Sequence, residues 1–105
     1  MPTEQYHEPP EELSQKTRTF ARMMQSLIEE ADAINWYEQR ISVEKDAVAK
    51  KIMQQAQNEE FIHFGMDLEF LTRKKEKWRT VLKNILFKTG DIVENAENAE
   101  DKIED

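Results

Sequence analysis

Two residues one helical turn apart, Glu60 and His63, have the types and the spacing of a metal-binding pair. On an α-helix, positions i and i+3 lie on the same face, so the carboxylate and the imidazole can reach the same ion. Carboxylate and imidazole ligands suit iron, manganese or zinc, and the chain has no cysteine that could add a thiolate. The pair therefore indicates a site for a divalent metal ion.

A second acidic residue, Glu30, lies where an apolar side chain is expected. Its neighbours at steps of three and four on the same helix face are apolar or aromatic: Met23, Leu27, Ile34 and Tyr37. A buried carboxylate without a partner is destabilising or loses its charge, and two such groups facing each other are worse. A divalent metal would neutralise both, so Glu30, Glu60 and His63 are the predicted ligands.

One chain supplies only half of a two-metal site. Ferritin-like di-iron centres take a Glu from each of two helices and a Glu-x-x-His from each of two others. This sequence offers one such Glu, Glu30, and one Glu-x-x-His, formed by Glu60 and His63. A two-fold axis would double the set to four carboxylates and two histidines, whose four negative charges balance two Fe²⁺ ions. The sequence thus predicts a dimer that shares the site.

The elements that position these residues are expected to be helices, because only two Gly and three Pro interrupt the 105 residues. We expect helices over about 10–40, about 45–74 and about 76–87, and the short connection between the first two makes them antiparallel neighbours. The predicted fold is all-α. An antiparallel two-helix hairpin plus a short third helix forms one ferritin-like domain over residues 10–90, and this domain dimerises into a four-helix bundle.

The two ends of the chain differ in composition from its middle. Residues 1–9 are predicted to be a flexible N-terminus, and residues 91–105, which are acidic with few large apolar side chains, a disordered tail. In the second helix the apolar stripe is expected to be Val48, Ile52, Met53, Ala56, Phe64, Phe70 and Leu71. In the third helix it is expected to be Trp78, Val81, Leu82, Ile85 and Leu86.

Charge and composition exclude several classes of function. The net charge of −7 argues against nucleic-acid binding, which depends on neutralising phosphates. Without cysteine there can be no disulfide, thiolate zinc site or cysteine nucleophile. No segment approaches the roughly 20 apolar residues of a membrane helix, and the first 15 residues lack the apolar core of a signal peptide. A soluble protein made in the cytoplasm is expected.

Residues 29–37 (EEADAINWY), followed by residues 58–63 (NEEFIH), resemble the encapsulated ferritins. These are truncated ferritin-like ferroxidases that work inside bacterial and archaeal encapsulin shells. Residues 66–73 and 86–87 also resemble that family, and the likeness covers roughly residues 7–92. The resemblance implies a ferroxidase that oxidises Fe²⁺ to Fe³⁺ with dioxygen, with two iron ions per dimer at a shared di-iron centre.

The resemblance also implies roles for individual residues. Glu30, Glu60 and His63 from both chains would be the metal ligands of the ferroxidase centre, and Tyr37 would lie beside it as a further catalytic residue. Glu29 and Asp32 match an acidic site through which metal ions arrive, although the family more often has Glu where this chain has Asp32. Trp36 would line the approach to the centre.

The family likeness implies partners as well. Dimers would assemble into an annular homodecamer inside a cytoplasmic encapsulin nanocompartment. The encapsulin shell protein would be the partner, and the Fe³⁺ would be mineralised there as an iron store.

The residues alone leave other interpretations open. In a non-catalytic helical assembly module, Glu60 would pair with Lys or Arg across an interface, Trp36 and Tyr37 would be interface aromatics, and the remaining acids would be solvated. A rubrerythrin-like di-iron peroxidase would use the same ligands, but the chain lacks the cysteine pairs of a rubredoxin-type electron donor. A metal-free acid–base pair is disfavoured, because no nucleophile or Gly-rich loop accompanies it.

Overall fold

A computed structural model describes residues 5–104, and within that range the chain is helical with no β-strand. A short 3-10 helix, Pro10–Glu12, precedes four α-helices: α1 (Gln15–Val43), α2 (Ala47–Arg73), α3 (Glu76–Lys83) and α4 (Ile92–Asp101). The predicted all-α class is confirmed. Of the N-terminal segment predicted to be flexible, residues 1–4 lie outside the described residues.

Ser14 sets the beginning of α1. Its backbone is extended, and its side-chain oxygen accepts a hydrogen bond of 3.1 Å from the N–H of Thr17, which is the geometry of an N-cap. The helix therefore begins at Gln15 rather than near residue 10. Pro10 starts the separate 3-10 turn instead, since proline suits the first turn of a helix but cannot donate a backbone hydrogen bond.

Residues 44–46 connect α1 to α2 through local hydrogen bonds. Glu44 Oε2 accepts from the N–H groups of Lys45, at 3.0 Å, and Asp46, at 3.1 Å. Asp46 Oδ1 then accepts from the N–H of Ala49 at 2.9 Å, within the first turn of α2. This short turn reverses the chain, and the predicted antiparallel hairpin is confirmed.

Gln57 ties the two helices of the hairpin together. This side chain is 8% exposed, and its Nε2 donates to the carbonyl oxygen of Ile34, at 3.2 Å, and to Oε2 of Glu38, at 2.9 Å. Both acceptors belong to α1, so the register places the middle of α2 opposite the C-terminal half of α1.

The apolar stripe predicted for α2 is only partly buried in a single chain. Leu71 is fully buried, and four of the other predicted side chains are half-buried: Met53, Ala56, Phe64 and Phe70. Val48 and Ile52 are 70% and 66% exposed, so this part of the predicted stripe is not covered within one chain. At about 100° per residue these two lie roughly a quarter of a turn or more from Met53, and α1 covers only one side of α2.

The chain divides into two compact units, one up to Leu71 and one from Thr72 onward. In the second unit α3 packs against α4, where Ala99 is fully buried. Asp91 Oδ1 caps α4 by accepting from the N–H of Glu94 at 2.9 Å. Residues 91–105 are predicted from the sequence to be a disordered tail, but the structure forms α4 there, because this cap and the packing on α3 support a helix.

None of the helices in the described part of the chain combines the length and the apolar character that crossing a bilayer requires.

Candidate metal centre

Glu60 and His63 lie side by side on α2, as their spacing predicts. His63 Nδ1 is 3.6 Å from Glu60 Oε1, which is too long for a hydrogen bond. The His63 side chain is 44% exposed and that of Glu60 is 23% exposed. The two groups are therefore adjacent without being bonded to each other, and both remain accessible to an ion from outside the hairpin.

Glu30 is half-buried on α1, and its carboxyl group lies close to other acidic side chains. The pKa of Glu30 is raised from its ordinary 4.5 to about 7, and burial is the largest cause. A hydrogen bond to the Asp67 side chain and the charge of that carboxylate add to the rise in the pKa, and the charges of Glu60 and Glu29 add further. The hairpin thus brings Glu30 and Glu60 within electrostatic reach, although they belong to different helices.

Asp67 lies beside Glu30 on the facing helix α2, and it was not among the ligands predicted from the sequence. It is 8% exposed, and its Oδ2 atom is buried without a hydrogen-bond donor in the described part of the chain. It follows Glu60 by seven residues and His63 by four, so all three share one side of α2. That spacing was the signal from which Asp67 could have been found.

Tyr37 lies on the Glu30 side of α1, because a step of seven residues returns to nearly the same helix face. It is half-buried, and the Arg40 guanidinium carbon is 5.4 Å from the centre of its ring. This distance is within the range of a cation–π contact. Tyr37 and Glu30 therefore lie on the same side of α1.

Glu29, Asp32 and Trp36 share a different face of α1, at steps of three and four. All three are exposed, and Trp36 is 53% exposed. Trp36 also lines an open, shallow cleft together with Gln39 and Arg40. These acids are solvated in one chain, and they lie outside the cluster that Glu30 forms with Asp67.

A metal ion fits the chemistry of the buried acids. Glu30 Oε2, like Asp67 Oδ2, is buried without a hydrogen-bond partner among residues 5–104, and a buried carboxylate oxygen needs a donor, a proton or a cation. In that range of one chain, no three acidic or histidine side chains are close enough together to hold a metal ion. The chain instead presents two pairs, Glu60 with His63 and Glu30 with Asp67.

Comparison with known proteins places these residues in a family context. The EncFtn-like family matches residues 5–89. A ferritin-like protein of Thermotoga maritima is 42% identical over 91 residues, which cover 87% of this chain and 80% of that protein. An encapsulated ferritin-like protein of Rhodospirillum rubrum is 37% identical over 95 residues, which cover 89% of this chain and 68% of that protein.

A solved structure shows the same fold. The crystal structure of protein ne0167 from Nitrosomonas europaea aligns with a TM-score of 0.80 and 38% sequence identity. The alignment covers 83% of this chain and 96% of the other.

Proposed function

The chain belongs to the EncFtn-like family, and from that premise we propose that it is a ferroxidase, which oxidises Fe²⁺ to Fe³⁺ with dioxygen at a centre shared by two copies of the chain. The ferritin-like names of its relatives point to iron rather than manganese or zinc. Iron is here the substrate of the protein, and it is bound, oxidised and released.

One observation carries the proposal. Glu30 and Glu60, from different helices of the hairpin, interact electrostatically on the side of α2 where His63 also lies. Negative groups held this close, in a partly desolvated place, are unfavourable on their own and become favourable around cations. The hairpin therefore has the charge and the ligand types that bind Fe²⁺.

The shared centre follows from the number of ligands in one chain. Glu30, Glu60 and His63 provide three side chains, and two chains related by a two-fold axis provide six. The four carboxylates of that set balance the charge of two Fe²⁺ ions and match the ligand set of ferritin-like di-iron centres. When both ions are in place, each gives one electron to dioxygen, so that the pair supplies two electrons together.

The surface beside His63 supports a second copy as the partner. Four large apolar side chains are more than half exposed along one side of α2: Val48, Ile52, Ile62 and Met66. Exposed apolar side chains that recur on one side of a helix favour an interface, and here they flank the polar pair of Gln55 and Glu59. Because Met66 is three residues from His63, a second hairpin covering this surface would also approach the histidine.

The remaining residues of the predicted site have supporting roles in the proposal. Glu29 and Asp32, exposed on α1 of a chain with a net charge of −7, attract cations towards the protein. Trp36 lies on the same face and lines the approach. Tyr37, on the Glu30 side of α1, lies beside the bound iron.

The assembly is part of the same proposal. The name of the Rhodospirillum rubrum relative describes an encapsulated protein, and this supports placement inside an encapsulin nanocompartment in the cytoplasm. Dimers would form an annular homodecamer there, and the Fe³⁺ would pass to a mineral held by the shell.

The test is Fe²⁺ oxidation in air, followed by absorbance after rapid mixing. We expect the wild-type chain to oxidise iron much faster than buffer, and Glu60→Ala and His63→Ala to lose this acceleration while their circular dichroism stays helical. Gln54→Ala is the control on the same helix, because Gln54 is exposed on another side of α2, away from His63 and from the apolar surface. Equal rates for the wild type and Glu60→Ala would overturn the proposal.

A further inference from the structure

We propose that Asp67 is a fourth metal ligand of each chain, in addition to Glu30, Glu60 and His63. This inference rests on the proposed function and deepens it at the same site. The ligand set of each chain then has a second carboxylate on α2, that of Asp67, which lies one helical turn beyond His63.

The burial of Asp67 is the first argument. Aspartate is rarely this buried unless it is paired, yet this side chain is 8% exposed and its Oδ2 atom has no donor among the described residues. A buried carboxylate oxygen without a donor is costly. The hydrogen bond with Glu30 leaves this Oδ2 atom unsatisfied within one chain, and a bound cation would satisfy it.

The position of Glu30 is the second argument. The carboxyl groups of Glu30 and Asp67 are within hydrogen-bonding reach, and Glu30 Oε2 is likewise buried without a donor. Two carboxylates this close must share either a proton or a cation. A divalent cation between them would contact both oxygens that lack a donor and would cancel the charge of the two carboxylates.

The helix geometry is the third argument. Glu60, His63 and Asp67 follow one another at steps of three and four, so they form one row along α2 that faces the same space. An ion held by Glu60 and His63 is therefore within one helical turn of Asp67. With Asp67 included, two chains provide eight side-chain ligands for two cations, which is four for each.

The additional carboxylates also match the product of the proposed reaction. Glu30, Glu60 and Asp67 from two chains carry six negative charges when ionised, and two Fe³⁺ ions carry six positive charges. The smaller set of four carboxylates matches two Fe²⁺ ions. Asp67 would therefore stabilise the oxidised ions more than the reduced ones.

A rival interpretation is that Asp67 only positions Glu30 through their hydrogen bond. Asp67→Asn separates the two roles. The amide of asparagine can donate to the Glu30 carboxylate and so preserve the hydrogen bond, but it is a much weaker ligand for a cation because it carries no charge.

The experiment is calorimetric titration of the protein with Zn²⁺, which has no redox chemistry. We expect Asp67→Asn to weaken Zn²⁺ binding by at least the roughly 10–100-fold that the loss of an outer partner of a metal ligand causes. The control Glu97→Gln, which changes an exposed acid on α4, should bind as the wild type does.

The outcomes separate this inference from the proposed function. Wild-type affinity in Asp67→Asn, with the wild type itself binding Zn²⁺, would overturn the role of Asp67 alone. A wild-type protein that binds neither Zn²⁺ nor Fe²⁺ would overturn both proposals.

A second measurement needs no variant that must fold. In a crystal of the wild-type protein soaked with Zn²⁺, anomalous scattering should place an ion about 2.0–2.2 Å from an Asp67 oxygen, the length of a carboxylate–zinc bond. An ion bound by Glu60 and His63 with both Asp67 oxygens out of bonding range would refute the inference.

Discussion

The carboxyl group of Glu30, on α1, lies within hydrogen-bonding reach of that of Asp67, on α2. This pairing joins the two helices through groups that repel each other when both are ionised. Burial and the neighbouring acids raise the pKa of Glu30 to about 7, so near neutral pH this contact changes from a shared proton to a repulsive pair.

The first prediction is a loss of stability of the metal-free protein as the pH rises. In the unfolded chain Glu30 titrates near its ordinary pKa of 4.5, and in the folded chain near 7, so between these values only the folded state keeps the proton. The free energy of unfolding therefore falls as the pH rises through this window. Thermal unfolding in a chelating buffer at pH 5 and pH 7.5 would measure it.

Glu30→Gln is the control for this pH effect, because glutamine keeps the shape and the hydrogen bond but does not titrate. Its melting temperature should fall less between the two pH values than that of the wild type. If the two proteins lose stability in parallel, then Glu30 does not hold its proton in the folded state.

The hairpin and its metal-binding pair could be predicted because they depend on local periodicity. The apolar residues around Leu27 recur at steps of three and four, and the pattern breaks near residues 42–46, which favours a short connection between antiparallel helices. Helix geometry alone puts Glu60 beside His63, because the two residues are three positions apart on one helix. These features can be predicted from the sequence without knowing which segments pack against each other.

Other features depend on contacts between distant segments. The spacing of Asp67 puts it on the same side of α2 as Glu60 and His63, but its burial beside Glu30 depends on α1. The helix α4 has an acidic composition typical of a tail, and its burial of Ala99 depends on α3. The exposure of Ile52 could not be foreseen either, because an apolar stripe does not tell whether it faces the same chain or another.

The second prediction concerns the stability of the hairpin. Gln57→Ala removes the buried donor to the Ile34 carbonyl oxygen and to Glu38, and should lower the free energy of unfolding by about 1–3 kcal/mol. Urea denaturation followed by circular dichroism would measure the change. The matched control is Gln55→Ala, whose side chain donates only to the exposed Glu59, and it should stay within about 0.5 kcal/mol of the wild type. A similar loss of unfolding free energy in both variants would mean that the hydrogen bonds from Gln57 do not stabilise the hairpin.

The third prediction concerns the apolar surface of α2. Met66 is 59% exposed in a single chain, so Met66→Asp should be tolerated by the hairpin but should place an unpaired charge in the proposed interface. Light scattering after size exclusion should show a smaller particle with unchanged helix content. Because each chain holds half of the ligands, the oxidation rate should fall with the particle mass.

Gln54→Asp adds the same charge to an exposed position on another side of α2 and serves as the control for Met66→Asp. It should leave both the particle mass and the oxidation rate unchanged. Full-rate oxidation by a monomeric Met66→Asp protein would show that one chain suffices for the reaction.

The fourth prediction links metal binding to assembly. Two copies of the Glu30, Glu60 and Asp67 carboxylates repel each other across a shared interface, and cations bound between them cancel that repulsion. Any ligand that binds only the assembled form stabilises it by mass action. Addition of Fe²⁺ without oxygen should therefore shift the metal-free protein towards its dimer or a larger assembly, and a chelator should reverse the shift.

Size exclusion of the wild type and Glu60→Ala, each with and without Fe²⁺, would measure this shift, and only the wild type should respond strongly. An assembly that is equally stable with and without metal in both proteins would mean that the acids do not meet across the interface.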